Sequence, residues 1–110
     1  MNDGAPSSPA SAFEFIPSGP AQFAVRGAMT FATAARLHAT GLAALGSSEG
    51  QRLDLDCSAV GEADSAGLVV LVDWLAWARA HGRELHLKNL PSKLLEIARI
   101  SELDELLVPA

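Results

Sequence analysis

The residues best placed for chemistry lie in one short segment, where a loop of polar and small residues leads into a long apolar stretch. Asp64 and Ser65 are natural N-cap residues, whose side chains accept hydrogen bonds from the free amides of a first helical turn. Gly67 would let a neighbouring backbone approach that turn closely. Capping accounts for part of the pattern, and the Ser65 hydroxyl would also stand at the positive end of a helix dipole. We expect a phosphate or an acidic group of a partner to be favoured there.

Three other residue types could support catalysis or metal binding. Asp54 and Asp56 resemble the D-x-D of haloacid-dehalogenase phosphatases, but those enzymes need more carboxylates, a Lys and a longer chain. Cys57, the single cysteine, is predicted to be a small buried hydrophobe. His38 is predicted at the core edge, because no second His or Cys follows at metal-binding spacing. With no Gly-rich phosphate loop either, we expect no catalytic residue, no metal and no cofactor.

Composition narrows the class of partner. The chain has 110 residues, 49% apolar and 19% charged, which is typical of a globular domain with one modest core. Its net charge is −5 and its Lys and Arg residues are scattered, so the sequence predicts no nucleic-acid binding. The longest apolar stretch is interrupted by Asp73 and Arg79, and the N-terminus has no secretory signal, so we expect a cytoplasmic chain without membrane insertion.

Elements that would position these residues follow a flexible tail at residues 1–12. Apolar periodicity, turn residues and caps define them. The first elements are a hairpin of strands at 13–16 and 23–26 and a helix from Phe31 to Leu45 capped by Thr30. A strand at 53–57 and a loop at 58–63 lead into a long helix, which runs from Asp64 or Ser65 to His81 and is closed by Gly82. The last elements are a strand at 84–88, a helix with Pro91 in its first turn, and a short helix opened by Ser101 and ending near Leu107. This alternation predicts an α/β domain with a mixed sheet.

The long helix is apolar on two sides. One stripe, wide enough to seat the helix on a sheet, consists of Leu68, Leu71, Val72, Leu75 and Ala78. Val70, Trp74 and Trp77 lie roughly opposite, and a domain of this length can hardly bury both sides of one helix. We therefore predict an exposed tryptophan face that binds a partner. The alternative is that one Trp folds back over the core edge, and the sequence leaves open whether the unpartnered chain self-associates through this face.

The pattern D-x-S-x-V-x-x-x-D-[ST]-x-G-L, present from Asp56 to Leu68, resembles the signature of STAS domains. The order of predicted elements is also similar, over about residues 13–108. The resemblance implies a STAS fold, an α/β structure with a mixed four- to five-stranded sheet and about four helices packed on it. It also implies that residues 13–110 form a single domain.

Two branches of this family would give the chain different functions. In anti-sigma factor antagonists the phosphorylated hydroxyl occupies the position of Ala66, which has no hydroxyl. The chain resembles more closely the MlaB-like domains, small subunits of bacterial phospholipid ABC transporters, which also lack that hydroxyl. By this resemblance Ser65 occupies the position of a functionally important Thr. Serine has the same hydroxyl group as threonine but lacks its methyl group.

The resemblance therefore implies a non-catalytic subunit that binds and supports the cytoplasmic, MlaF-like ATPase of such a transporter. The chain would lie at the inner face of the membrane through that partner. The residues predicted to bind are Asp64, Ser65, Ala66, Gly67, Val70, Trp74 and Trp77. An anti-sigma factor antagonist-type regulator is the alternative, which Ala66 disfavours.

Overall fold

The computed structural model describes residues 12–107, so all of the predicted tail except Ala12 lies outside the described residues. The elements are β1 (Phe13–Gly19), β2 (Gln22–Met29), α1 (Ala34–Ser47), β3 (Arg52–Ala63), α2 (Ser65–Ala80), β4 (Glu84–Lys88), α3 (Ser92–Ile100) and a 3₁₀ turn (Asp104–Leu107). The long helix agrees with its prediction within one residue. Gly82 lies just beyond its C-cap with φ +66°, as expected for a residue that ends a helix in the left-handed conformation.

One four-stranded sheet organises the described residues, in the order β1-β2-β3-β4. The β1–β2 pair is antiparallel and the other two pairs are parallel, which confirms the predicted mixed sheet. Apolar and polar side chains alternate along much of the strands, because successive residues of a strand point to opposite faces of the sheet. The apolar side chains lie on the face that the helices cover. The buried strand residues are Phe23, Val25, Ala28, Met29, Leu53, Leu55, Cys57, Val60 and Leu85. Four helices were expected, and the described residues form three α-helices and one 3₁₀ turn.

Several predicted boundaries are wrong. The hairpin strands run on to Gly19 and Met29, and Ser101 is the C-cap of α3, so the short helix begins at Asp104. The first helix begins at Ala34 rather than Phe31, and Thr33, not Thr30, occupies its N-cap position. The segment at 58–63, predicted as a loop, continues β3 up to a pair between Met29 and Ala63. It does so because β2 runs alongside it and pairs with its backbone, which the local sequence of small residues does not reveal.

Candidate functional site

Asp64 ties the start of α2 to the loop that follows β2. Its Oδ1 accepts hydrogen bonds from the backbone N–H of Ala66 at 2.9 Å and of Gly67 at 3.4 Å. Its Oδ2 accepts a third from the N–H of Phe31 at 3.0 Å. The predicted capping role is therefore confirmed, and it extends to a second loop. Because a carboxylate already occupies the positive end of the helix, the expected attraction for a phosphate at Ser65 is opposed.

Gly67 seats the first turn of α2 on the end of β2. A Cβ atom at this position would overlap the carbonyl oxygen of Met29 and stand 2.8 Å from the Met29 Cβ, closer than van der Waals contact allows. The predicted close backbone approach is thus confirmed. Ser65 precedes this contact with its side chain exposed, whereas Ala66 is half-buried. Whether these residues bind a partner stays a prediction.

Val70 and Trp74 do not form the exposed face that was predicted. Trp74 is 0% exposed and Val70 is 4% exposed. The Trp74 indole N–H donates to the carbonyl of His38 at 3.2 Å, and its ring meets Phe15 edge-on with 5.5 Å between centroids. A Cβ at Gly41 of α1 would stand 2.6 Å from the Trp74 Cε2 atom. The expectation is wrong because this glycine lets α1 approach closely enough to cover the second apolar side of α2.

Trp77 belongs to a cluster at the opposite end of α2 from Ser65. Its half-buried ring stacks on His81 at 4.9 Å, and the Arg83 guanidinium lies 5.7 Å from its centroid. Arg83 donates to the carbonyl oxygens of Leu45 at 3.2 Å and Gly50 at 2.8 Å, and so binds the C-terminal end of α1. These contacts explain the position of Trp77 structurally, and partner binding by Trp77 stays a prediction.

The exposed face of α2 lies elsewhere on the helix. Exposed side chains follow each other at helical spacing from Ser65 through Val69, Asp73 and Ala76. Val69 is 52% exposed, and Phe31, whose backbone is bonded to the cap residue, is 86% exposed. We call Phe31, Ser65 and Val69 the Phe31 surface. Phe31 was not among the predicted site residues, because the sequence pattern places it inside a helix. The four-residue spacing of Ser65 and Val69 could have indicated the exposed face of α2.

The loop that carries Phe31 is fixed on both sides. Thr33 is completely buried, and its hydroxyl donates to the carbonyl of Ala28 at 2.9 Å. The same hydroxyl oxygen accepts the N–H of Thr30 at 3.0 Å. Together with the Asp64 contact, these bonds hold the backbone before and after Phe31. Its ring is therefore presented to solvent by an ordered turn.

The two aspartates of β3 lie on the polar face of the sheet and are satisfied there. Asp54 pairs with Arg52 at 3.1 Å and with Lys88 at 3.8 Å. Asp56 accepts from the Asn89 amide at 3.1 Å and from the backbone of Ser58 at 2.9 Å, and these bonds lower the pKa of Asp56 below its usual value. These partners are those of carboxylates on a solvated strand face. The sequence favoured that interpretation over a phosphatase nucleophile.

Cys57 directly follows Asp56 on β3 and points into the core. Burial, with a smaller contribution from the charge of Asp56, raises the pKa of its thiol to about 12, so it stays protonated at neutral pH. The prediction that Cys57 is a buried hydrophobe is confirmed. Within residues 12–107, no group of three His, Cys, Asp or Glu side chains is arranged to hold a metal ion. Each helix in that range is too short or too polar to span a bilayer.

Comparison with known proteins gives both a family and a fold. The family model described as "Mlab, STAS domain" matches residues 16–109. The unphosphorylated anti-sigma factor antagonist SpoIIAA aligns with a TM-score of 0.66 and 14% identity, over 86% of this chain and 84% of that one. SLC26A9 aligns with a TM-score of 0.64 and 17% identity, over 76% of this chain but only 16% of that one. At these identities the two structures establish a shared fold. No curated protein sequence matches the chain.

Proposed function

The chain belongs to the MlaB-like STAS domain family, and on that premise we propose that it is a non-catalytic interaction subunit. Its partner would be the cytoplasmic ATPase of a phospholipid ABC transporter, and the Phe31 surface would be the place of contact. The chain would be cytoplasmic and would reach the membrane through that ATPase. The observation that carries the proposal is the exposed Phe31 ring, on a residue whose backbone N–H donates to the same Asp64 carboxylate that caps the family's motif helix.

An exposed, ordered phenyl ring suits a binding surface for energetic reasons. Burying a Phe side chain from water contributes about 1.5–3 kcal/mol, and little conformational entropy is lost when the surrounding turn is already fixed. Val69 adds apolar area one turn along α2, and the Ser65 hydroxyl provides a polar contact beside it. Such an apolar centre with polar neighbours is the usual anatomy of a protein interface.

Ala66 supports a constitutive subunit over a phosphorylation-controlled one. Its side chain has no hydroxyl, and its N–H is already bonded to the Asp64 carboxylate. A regulator of the anti-sigma antagonist type would need a phosphate acceptor at this position, according to the family resemblance. The alternative function therefore has no acceptor residue where that resemblance would require one.

The test is binding of purified wild-type chain to the purified Mla-type ATPase of the same organism, measured by calorimetry. We expect Phe31→Ser to weaken binding by at least about 30-fold, the range of an interface hot spot. Ile100→Ser is the matched control, because Ile100 is 83% exposed but lies at the end of α3, away from the motif helix. Equal losses from both variants, or no binding by the wild type, would refute the proposal.

A second pair of variants examines Ser65. Ser65→Thr keeps the hydroxyl and should bind as the wild type does, whereas Ser65→Ala removes it and should weaken binding by about 5- to 10-fold, the value of one interfacial hydrogen bond. Thermal unfolding of each variant separates lost binding from lost fold. If Ser65→Ala binds as tightly as the wild type, the hydroxyl has no part in the interface.

A further inference from the structure

Two exposed acidic residues lie on the elements that adjoin the Phe31 surface. Glu62 is exposed at the end of β3, next to the Met29–Ala63 pair from which the Phe31 loop departs. Asp73 is exposed two turns along α2, on the line that runs from Ser65 through Val69. The elements that carry the exposed Phe31 and Val69 side chains therefore also expose two carboxylates.

One arginine and one histidine lie near these carboxylates on the neighbouring elements. The carboxylates on the β2–α1 loop, the first half of α1, the end of β3 and α2 up to its midpoint are Glu62, Asp64 and Asp73, and the arginine is Arg36. The Arg36 guanidinium lies over the Phe13 ring at 5.5 Å, on the β1 side of α1. The Nε2 atom of His38 lies 3.5 Å from the carboxylate of Asp73.

The shape of this surface also restricts its partner. The Phe31 ring is 86% exposed, so it protrudes and offers no groove for an incoming peptide. A protruding ring is buried only by a concave apolar surface, and exposed carboxylates around it are best matched by cations on the other side. We propose that the surface which receives Phe31 is an apolar socket rimmed by Lys or Arg side chains that face Glu62 and Asp73. This inference rests on the proposed function and names the chemistry of that partner.

Association kinetics with the purified ATPase test the charge. In the double variant Glu62→Lys with Asp73→Lys we expect the association rate to fall about tenfold at low salt. Glu49→Lys with Glu96→Lys is the matched control, since it changes net charge equally at exposed positions on the α1–β3 loop and α3. That control should change the rate by less than about twofold, because screening confines the effect to nearby charges.

Two further readouts complete the test. Raising NaCl from about 50 mM to about 300 mM should slow association of the wild type severalfold and have little effect on the Glu62 and Asp73 double variant. Phe31→Leu should bind more tightly than Phe31→Ala, since it fills more of a socket, with the difference mainly in the dissociation rate.

The outcomes separate the two proposals. If the wild type binds the ATPase but the Glu62 and Asp73 double variant associates as fast as the wild type, or both double variants slow equally, the basic rim is refuted and the proposed function stands. If Phe31→Ala and Phe31→Leu bind as the wild type does, the socket is refuted together with the Phe31 surface as the place of contact, and binding to the ATPase itself stands. If the wild type does not bind at all, both proposals fail together.

Discussion

Replacing Gly41 by Ala tests directly how the second side of α2 becomes buried. The new methyl carbon would stand 2.6 Å from Cε2 and 2.9 Å from Cη2 of Trp74, where contacts of about 3.5–4 Å are optimal. Relieving this overlap requires α1 to move away from α2, and such overpacking costs about 1–3 kcal/mol. The better helix propensity of Ala returns at most about 1 kcal/mol. We therefore expect Gly41→Ala to lower the free energy of unfolding by about 1–2 kcal/mol.

Gly46 offers a matched control in the same helix. A Cβ there would meet only Cζ2 of Trp77 at 3.7 Å, an ordinary contact, so Gly46→Ala should raise stability by up to about 1 kcal/mol. Urea unfolding followed by tryptophan fluorescence measures both changes. Trp74→Phe should cost less in the Gly41→Ala background than in the wild type, because a smaller ring relieves the overlap. If Gly41→Ala is as stable as the wild type, α1 does not cover Trp74 and the reasoning fails.

Three other measurements check contacts described above. Arg83→Ala should lower stability by about 1–3 kcal/mol, because the guanidinium binds the Leu45 carbonyl at the negative end of the α1 dipole and the Gly50 carbonyl in the following loop, and denaturation midpoints would show it. Cys57 should react with a thiol reagent at pH 8 only as fast as the chain unfolds, because its pKa is about 12 and it is buried; rapid labelling in native buffer would contradict this. The lowered pKa of Asp56 stabilises the fold above the unfolded value of 3.8, and this contribution is lost as the pH falls through the folded pKa. The stability difference between Asp56→Asn and the wild type should therefore be larger at pH 7 than at pH 3, and an equal difference would refute it.

The covering of Trp74 changes which residues are expected to bind a partner. Two tryptophans at helical spacing indicated an interface, but Trp74 lies in the core and Trp77 packs with His81 and Arg83. The exposed apolar area near the family motif comes instead from Phe31 and Val69. The proposed site therefore keeps the predicted helix end and adds Val69 on a different face of α2 and Phe31 on the loop after β2.

Short-range features of the site were predictable from the sequence because they depend on neighbours along the chain. Asp64 caps α2 since its carboxylate reaches amides two and three residues ahead. Gly82 ends the helix through its own backbone dihedral angle, which glycine adopts without a steric penalty. The alternation of strands and helices followed from apolar periodicity in the same way, and the family resemblance added the identity of the fold.

The tertiary structure alone decided which side of α2 faces solvent. That outcome depends on Gly41, more than thirty residues before Trp74, because the missing side chain sets how closely two helices approach. It depends also on the loop after β2, where a bond to Asp64 and the buried Thr33 hydroxyl turn Phe31 outward. The local pattern specifies that a helix has two apolar sides. Which of them is covered depends on packing against elements that are distant in the chain.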